Sequence, residues 1–308
     1  MRVIQASAPG RCGIIGNPSD IYGGVVVSAS IPNRAVCRLT LGVPTQLPSD
    51  PTLWNAATAR FPLEDVKVEW STSIPRSSGL AGSTALLAAT LACVLAARDE
   101  PPELRTGIGL KRFSELVRDI ERNEAGVQCG YQDAYMVVHG GIQRMEFAGK
   151  RPDQVGPMAT LESLNSPLPF LLVTTGVERL SGSVHGPVIE RWMKGEPEVR
   201  SAIRRLVRLG VTGCASHMAH RWDNLASAMT ENQDIVSNLG GSGEAIDKLI
   251  ADCLACGAMA AKLAGAGMGG TVIALTPDPE KLKAKLSERG YSQFIQPSDE
   301  PGLQFEEF

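Results

Sequence analysis

The stretch Ile74-Pro-Arg-Ser-Ser-Gly-Leu-Ala-Gly-Ser-Thr-Ala85 decides how the rest of this chain is read. It follows Val66–Trp70 (VKVEW), where apolar and polar residues alternate as in a half-buried strand. It opens into an Ala/Leu-rich segment, roughly Ser83–Arg98, which predicts a helix stopped by Asp99–Pro102. Gly79 and Gly82 let backbone N–H groups come close to a ligand. Ser77, Ser78, Ser83 and Thr84 add hydroxyls, and the helix start adds the positive end of its dipole. Such a turn suits a row of phosphate groups, yet a plain helix cap uses the same ingredients, and the stretch matches neither a Walker A loop nor GxGxxG.

Two further glycine-bearing segments supply the context. Upstream lies Ala8-Pro-Gly-Arg-Cys-Gly-Ile-Ile-Gly-Asn-Pro-Ser-Asp-Ile-Tyr-Gly-Gly24, in which Arg11 and Asp20 are the charged residues. A cation and a carboxylate in a Gly/Pro turn mark a candidate site, although an isolated pair also reads as a surface ion pair. Downstream lies Lys262-Leu-Ala-Gly-Ala-Gly-Met-Gly-Gly-Thr271, between an Ala-rich helix expected over Ala245–Lys262 and a strand over Thr271–Thr276. Its glycines exceed what a turn needs and suit a loop that another object must approach.

Composition bounds the function classes. The 308 residues are 43% hydrophobic and 20% charged, which is ordinary for a globular enzyme of two domains. A formal net charge of −3 gives no footprint for nucleic acid or an anionic membrane. The longest apolar run, near Ala85–Ala97, is too short to span a bilayer, and the first residues lack the apolar core of a secretory signal. Seven scattered cysteines point to reduced thiols and a cytoplasmic compartment. Cys253-x-x-Cys256 has no second pair and reads as core thiols, and His217-x-x-His220 lacks a third ligand nearby.

In order, spacing and context the three segments resemble the signature motifs of GHMP kinases, and the resemblance covers the whole chain. Asn17-Pro18 stands where most members have Glu-His, Ala81 is an extra residue in the phosphate loop, and Ala264 replaces a usual Thr. The first two departures, with Ser181-Gly-Ser-Val-His-Gly-Pro-Val-Ile-Glu-Arg-Trp192 and Gly130-Tyr-Gln-Asp133, are similar to the glucuronokinase branch.

The resemblance implies an α+β, two-domain GHMP kinase fold. Residues 1–160 form an N-terminal mixed α/β domain and residues 161–308 a C-terminal ferredoxin-like domain, with a seam near Ala159–Pro169. It implies ATP-dependent phosphorylation of a small-molecule sugar, at the anomeric hydroxyl in a glucuronokinase-like enzyme, with Mg2+ as the metal. Asp133 and Arg11 are the implied catalytic pair. Ser77, Ser78, Gly79, Gly82, Ser83, Thr84, Gly265 and Gly267 are implied to bind ATP. Asp20, with Tyr22 and Gln132 as weaker neighbours, is implied to meet the sugar, and Thr84 and Glu121 the metal, Glu124 being a competing carboxylate. The role of His185 is left open, and Arg191 reads as a solvated helix position. Within the family the rivals are a heptose kinase or another GHMP kinase; Gly-x-Gln-Asp is shared with heptose kinases, while Asn-Pro-Ser-Asp is not typical of them. A catalytically inactive GHMP-fold binding protein is the rival from another class, against which the retention of Arg11, Thr84 and Asp133 argues. Ser298–Phe308, an acidic stretch, is expected to be loose.

Overall fold

The computed structural model describes residues 2–176, 185–265 and 270–307. Gly267 and the first part of the Ser181–Trp192 segment lie outside them.

The chain opens with β1 (Val3–Ile15), a 3-10 turn (Ser19–Tyr22), β2 (Val25–Leu41), α1 (Thr52–Arg60) and β3 (Val66–Thr72). Then come α2 (Gly82–Ala97), α3 (Gly107–Asn123), α4 (Gln132–His139), β4 (Ile142–Glu146) and β5 (Thr160–Ser163). With β10 (Gln304–Glu307), the first sheet runs β10-β1-β2-β4-β5, with β3 also on β2, and every pairing is antiparallel. α2 packs across β1 and β2 and is buried from Leu87 to Ala96. A helix this rich in alanine has no polar face, so it can be enclosed between the sheet and α1, α3 and α4.

The second part holds β6 (Phe170–Thr174), α5 (His185–Met193), α6 (Pro197–Met218), α7 (Trp222–Asn238) and α8 (Glu244–Ala255). It continues with β7 (Ala260–Leu263), β8 (Thr271–Leu275), α9 (Pro279–Glu288) and β9 (Phe294–Ile295). Its sheet order, β7-β8-β6-β9, with helices between β6 and β7 and between β8 and β9, is the ferredoxin-like pattern. No described helix is long and apolar enough to cross a membrane.

Val25–Leu41 is one unbroken strand, β2, because Pro32–Arg34 continues its extended path instead of turning. Two expectations from the sequence change. The helix expected to reach Lys262 ends at Ala255. Gly257, with φ of 106°, turns the chain into β7, where Lys262 lies buried. Alanine-rich sequence does not separate a buried helix from a buried strand. Of Ser298–Phe308, expected to be loose, the described residues 298–307 are tied down: β10 (Gln304–Glu307) pairs with β1, Leu303 is buried, and Arg34 donates to the Pro301 and Gly302 carbonyls at 2.7 Å each. The acidic residues there mask an alternating apolar pair, Leu303 and Phe305, that packs on the core.

Candidate active site

Arg11 lies on β1 and is 2% exposed. Its Nε and Nη2 donate to the same carboxylate oxygen, Oδ1 of Asp133, at 2.9 and 2.7 Å. Its Nη1 donates to the Gly79 carbonyl at 2.6 Å, and its backbone N–H to the Leu80 carbonyl at 3.1 Å. One side chain thus ties the first glycine segment to the middle one and to the start of α4.

The third segment closes the same knot. Gly13 N–H donates to the Ala264 carbonyl at 2.7 Å, and Asn17 Nδ2 to the Gly265 carbonyl at 2.6 Å. A Cβ on Gly265 would stand 2.6 Å from the Gly79 carbonyl oxygen, so glycine is required where the two loops meet. The three segments converge on Arg11.

The middle loop carries backbone strain. Ser77 and Ala81 hold left-handed φ values of 49° and 62°, a region disfavoured for residues with a Cβ and concentrated at functional sites. Ala81, the extra residue of this loop, occupies the N-cap position of α2 without capping it by a side chain. Ser78 turns its hydroxyl back to the Pro75 carbonyl at 2.6 Å. The uncapped first turn of α2, with Gly82, Ser83 and Thr84, presents N–H groups suited to an anion.

Thr84 and Glu121 meet below that turn, the Thr84 hydroxyl donating to Glu121 Oε1 at 2.7 Å. Glu121 is 3% exposed. Burial, and then the charge of Asp133, pushes its carboxyl up to about 7, against hydrogen bonds from Thr84 and Cys129. Two hard oxygens in such a place fit a divalent cation, whose charge would offset the penalty on Glu121 and which takes its other ligands from phosphates and water. Glu124 points elsewhere, into an ion pair with Arg60 at 2.7 Å.

Asp20, expected to meet the sugar, also has a structural task. Its Oδ2 accepts from the Tyr131 and Gln132 N–H groups at 2.6 and 2.9 Å, holding the start of the helix that carries Asp133 in its first turn. Gln132 sends its amide to the Ser28 hydroxyl at 2.8 Å, and Tyr22 packs on Trp192 with ring centroids 5.5 Å apart. A Cβ on Gly130 would overlap Asp20 Oδ2. We therefore expect Gly130→Ala to displace that carboxylate. The expected result is a melting temperature lower by about 2–6 °C and an acceptor kcat/KM lower by about ten- to a hundredfold. Thermal melts and steady-state kinetics check this; unchanged values would mean that Asp20 does not hold α4.

Sequence reasoning passed over Lys262. Its ammonium is 1% exposed and donates to Asn17 Oδ1 at 2.8 Å, to the Leu263 carbonyl at 2.7 Å and to the Gly13 carbonyl at 3.3 Å. Asn17 is also fixed by Asn232, whose Nδ2 donates to the Asn17 carbonyl at 3.0 Å. Burial pushes the Lys262 amine from its usual 10.5 down to about 7. Between those values the unfolded chain holds the proton and the folded chain does not, so stability rises with pH across that window. The stability advantage of the wild type over Lys262→Met is expected to widen above about pH 7, by at most about 1.4 kcal/mol per pH unit. Denaturant melts across the window check it, and a pH-independent difference would contradict it.

Comparison with known proteins follows the same lines. Residues 52–141 match the model of the GHMP kinases N terminal domain, and residues 214–292 that of GHMP kinases C terminal. The chain is 29% identical to probable glucuronokinase 2 of Arabidopsis thaliana, over 74% of its own length and 62% of that protein. It thus spans about six-tenths of the length of that relative. It is 22% identical to D-glycero-alpha-D-manno-heptose 7-phosphate kinase of Campylobacter jejuni, over 95% and 96% of the two chains. Lactococcus lactis galactokinase, solved in complex with galactose, superposes with a TM-score of 0.75 at 16% identity, covering 98% of this chain and 95% of that one.

Proposed function

The chain belongs to the GHMP kinase family, and from that premise we propose that it phosphorylates a sugar with ATP, the first candidate being a uronic acid phosphorylated at its anomeric hydroxyl. The observation that carries this reading is the Arg11–Asp133 pair, placed where all three glycine segments meet. The uncapped start of α2, with Ser77, Ser78 and Gly79, receives the ATP phosphates, and Gly265 closes on them from the other side. Thr84 and Glu121 would hold Mg2+, which would neutralise charge on the phosphates.

Phosphoryl transfer depends mainly on positioning and charge stabilisation. The acceptor oxygen attacks the γ-phosphorus, the bond to the β–γ bridging oxygen breaks, and ADP leaves. Asp133 Oδ1 is occupied by both Arg11 N–H groups, so Oδ2 is the oxygen that orients the acceptor hydroxyl and takes up its proton. Asp20 fixes the helix that aims Asp133.

The uronic-acid reading is supported by the motif likenesses at Asn17–Asp20, Ile74–Ser83 and Ser181–Trp192 and by the glucuronokinase relative. Of the two arginines in these segments beside Arg11, Arg191 is paired with Glu196 at 2.8 Å and Arg76 is exposed on the phosphate loop. The test is kcat/KM for glucuronic acid against glucose and a heptose. A site with donors built for the carboxylate rejects the neutral analogues. Equal rates, or a preference for the heptose, would replace the uronic acid and leave the kinase.

A further inference from the structure

α5 meets the turn that carries Asp20 near its C-terminal end. Its Trp192 packs on Tyr22, the last residue of that turn, with ring centroids 5.5 Å apart. His185 and Val188 are its buried residues. His185, Val188 and Trp192 are spaced three and four residues apart and so share one helix face, the face whose Trp192 meets Tyr22.

His185 is 9% exposed, and its imidazole makes no hydrogen bond or ion pair among the described residues. The charged groups acting on it are Asp20, Asp133 and Arg11. Burial lowers its pKa from the usual value, the two carboxylates work against that and Arg11 adds to it, which leaves a neutral ring with one donor and one acceptor nitrogen. Other polar groups in this quarter are engaged in holding the protein together. Asp20 Oδ2 receives two backbone N–H groups, Gln132 is held by Ser28, and Asp133 Oδ1 is held by Arg11. An imidazole without a hydrogen bond among the described residues, acted on by the same charged groups, suits a partner that both donates and accepts, as an alcohol does.

We propose that His185 is a substrate contact, its imidazole hydrogen-bonding a ring hydroxyl of the acceptor sugar close to the hydroxyl that Asp133 orients. The proposal rests on the sugar-kinase reading and adds a specificity-determining residue from the second part of the chain. Through Trp192 on Tyr22, α5 sets the imidazole against the Asp20 turn, so the two parts of the chain recognise the sugar together.

The test compares full-length wild type with His185→Phe and His185→Gln. The acceptors are D-glucuronic acid, D-glucose and monodeoxy analogues lacking each non-reacting ring hydroxyl in turn. His185→Phe should lower acceptor kcat/KM by about ten- to a hundredfold, with the KM for ATP unchanged, and His185→Gln should recover part of the loss through its amide. One monodeoxy acceptor should cost the wild type a similar factor and cost His185→Phe nothing further, because the same hydrogen bond is removed from either side. A merely structural role would lower every acceptor alike and would not single out one hydroxyl. If His185→Phe does not fold, His185→Gln and the same deoxy series give the decision. Unchanged acceptor kinetics in the variants, or equal losses on all deoxy acceptors, would overturn the proposal while leaving the kinase reading intact. A wild type that turns over no sugar would fail before any substitution is compared, which removes the sugar-kinase reading and this contact with it.

Discussion

Asp133→Asn is expected to lower acceptor-dependent turnover by about 10²–10⁴-fold, the range that a positioned acid–base group contributes. The substitution keeps the shape and removes the charge. The amide oxygen can still accept from Arg11, so the knot between β1, the phosphate loop and α4 should hold. What is lost is the second carboxylate oxygen, proposed above to orient the acceptor hydroxyl. Asp133 is not one of the phosphate-loop groups, so calorimetry with a non-hydrolysable ATP analogue should give nearly unchanged affinity. A variant that retains most of its rate would remove Asp133 from the chemistry. A variant that loses nucleotide affinity as well would place it in the phosphate site.

Arg11→Met is expected to lower kcat by about 10²–10³-fold, through lost positioning of Asp133 and lost positive charge near the transferred group. Methionine matches the length of the arginine stem but donates nothing. It leaves the Gly79 carbonyl without its 2.6 Å donor and Asp133 Oδ1 without both of its own. Asp133 is partly exposed, its side chain 30% accessible, so water can replace part of what it loses. The stability cost should therefore stay near that of unsatisfied hydrogen bonds, about 1–3 kcal/mol, and not reach that of a stranded buried ion. Arg11→Lys should fall between, since it keeps the charge and loses the planar fork. Steady-state kinetics with denaturant melts separate the two effects. Equal activity of Arg11→Met and wild type would show that the pair serves packing alone.

Much of this arrangement was legible in the sequence because it sits on local signals. Alternation gave β3, and the glycine, serine and alanine pattern around Gly82 gave the loop and α2, since both are set by neighbours along the chain. Arg11, Asp20, Thr84, Glu121 and Asp133 were each nominated by motif, and the structure brings them into one neighbourhood through Arg11–Asp133, Thr84–Glu121 and Asp20 at the start of α4. What escaped was long-range. β10 pairs with β1 across almost the entire chain, and no local pattern announces such a partner. Lys262 reads as the end of an Ala-rich helix until β7 encloses it and three acceptors gather around its amine from β1, Asn17 and its own strand. Asn232, in the middle of α7, carries no motif, yet it fixes both Gly16 and Asn17. From its motif Asp20 reads as a carboxylate for a sugar. Its hold on Tyr131 and Gln132 follows only from the fold that sets the 3-10 turn against α4.

The central claim is that these loops transfer the γ-phosphoryl of ATP to a sugar hydroxyl. It is tested most directly by ADP release from Mg2+-ATP and wild-type protein, with a panel of uronic acids, hexoses, heptoses and mevalonate as acceptors. The account predicts ADP formation that depends on a sugar, saturates with it and ends in a stoichiometric sugar phosphate. ADP formed with mevalonate alone, or no acceptor-dependent ADP from protein that binds ATP, would contradict it.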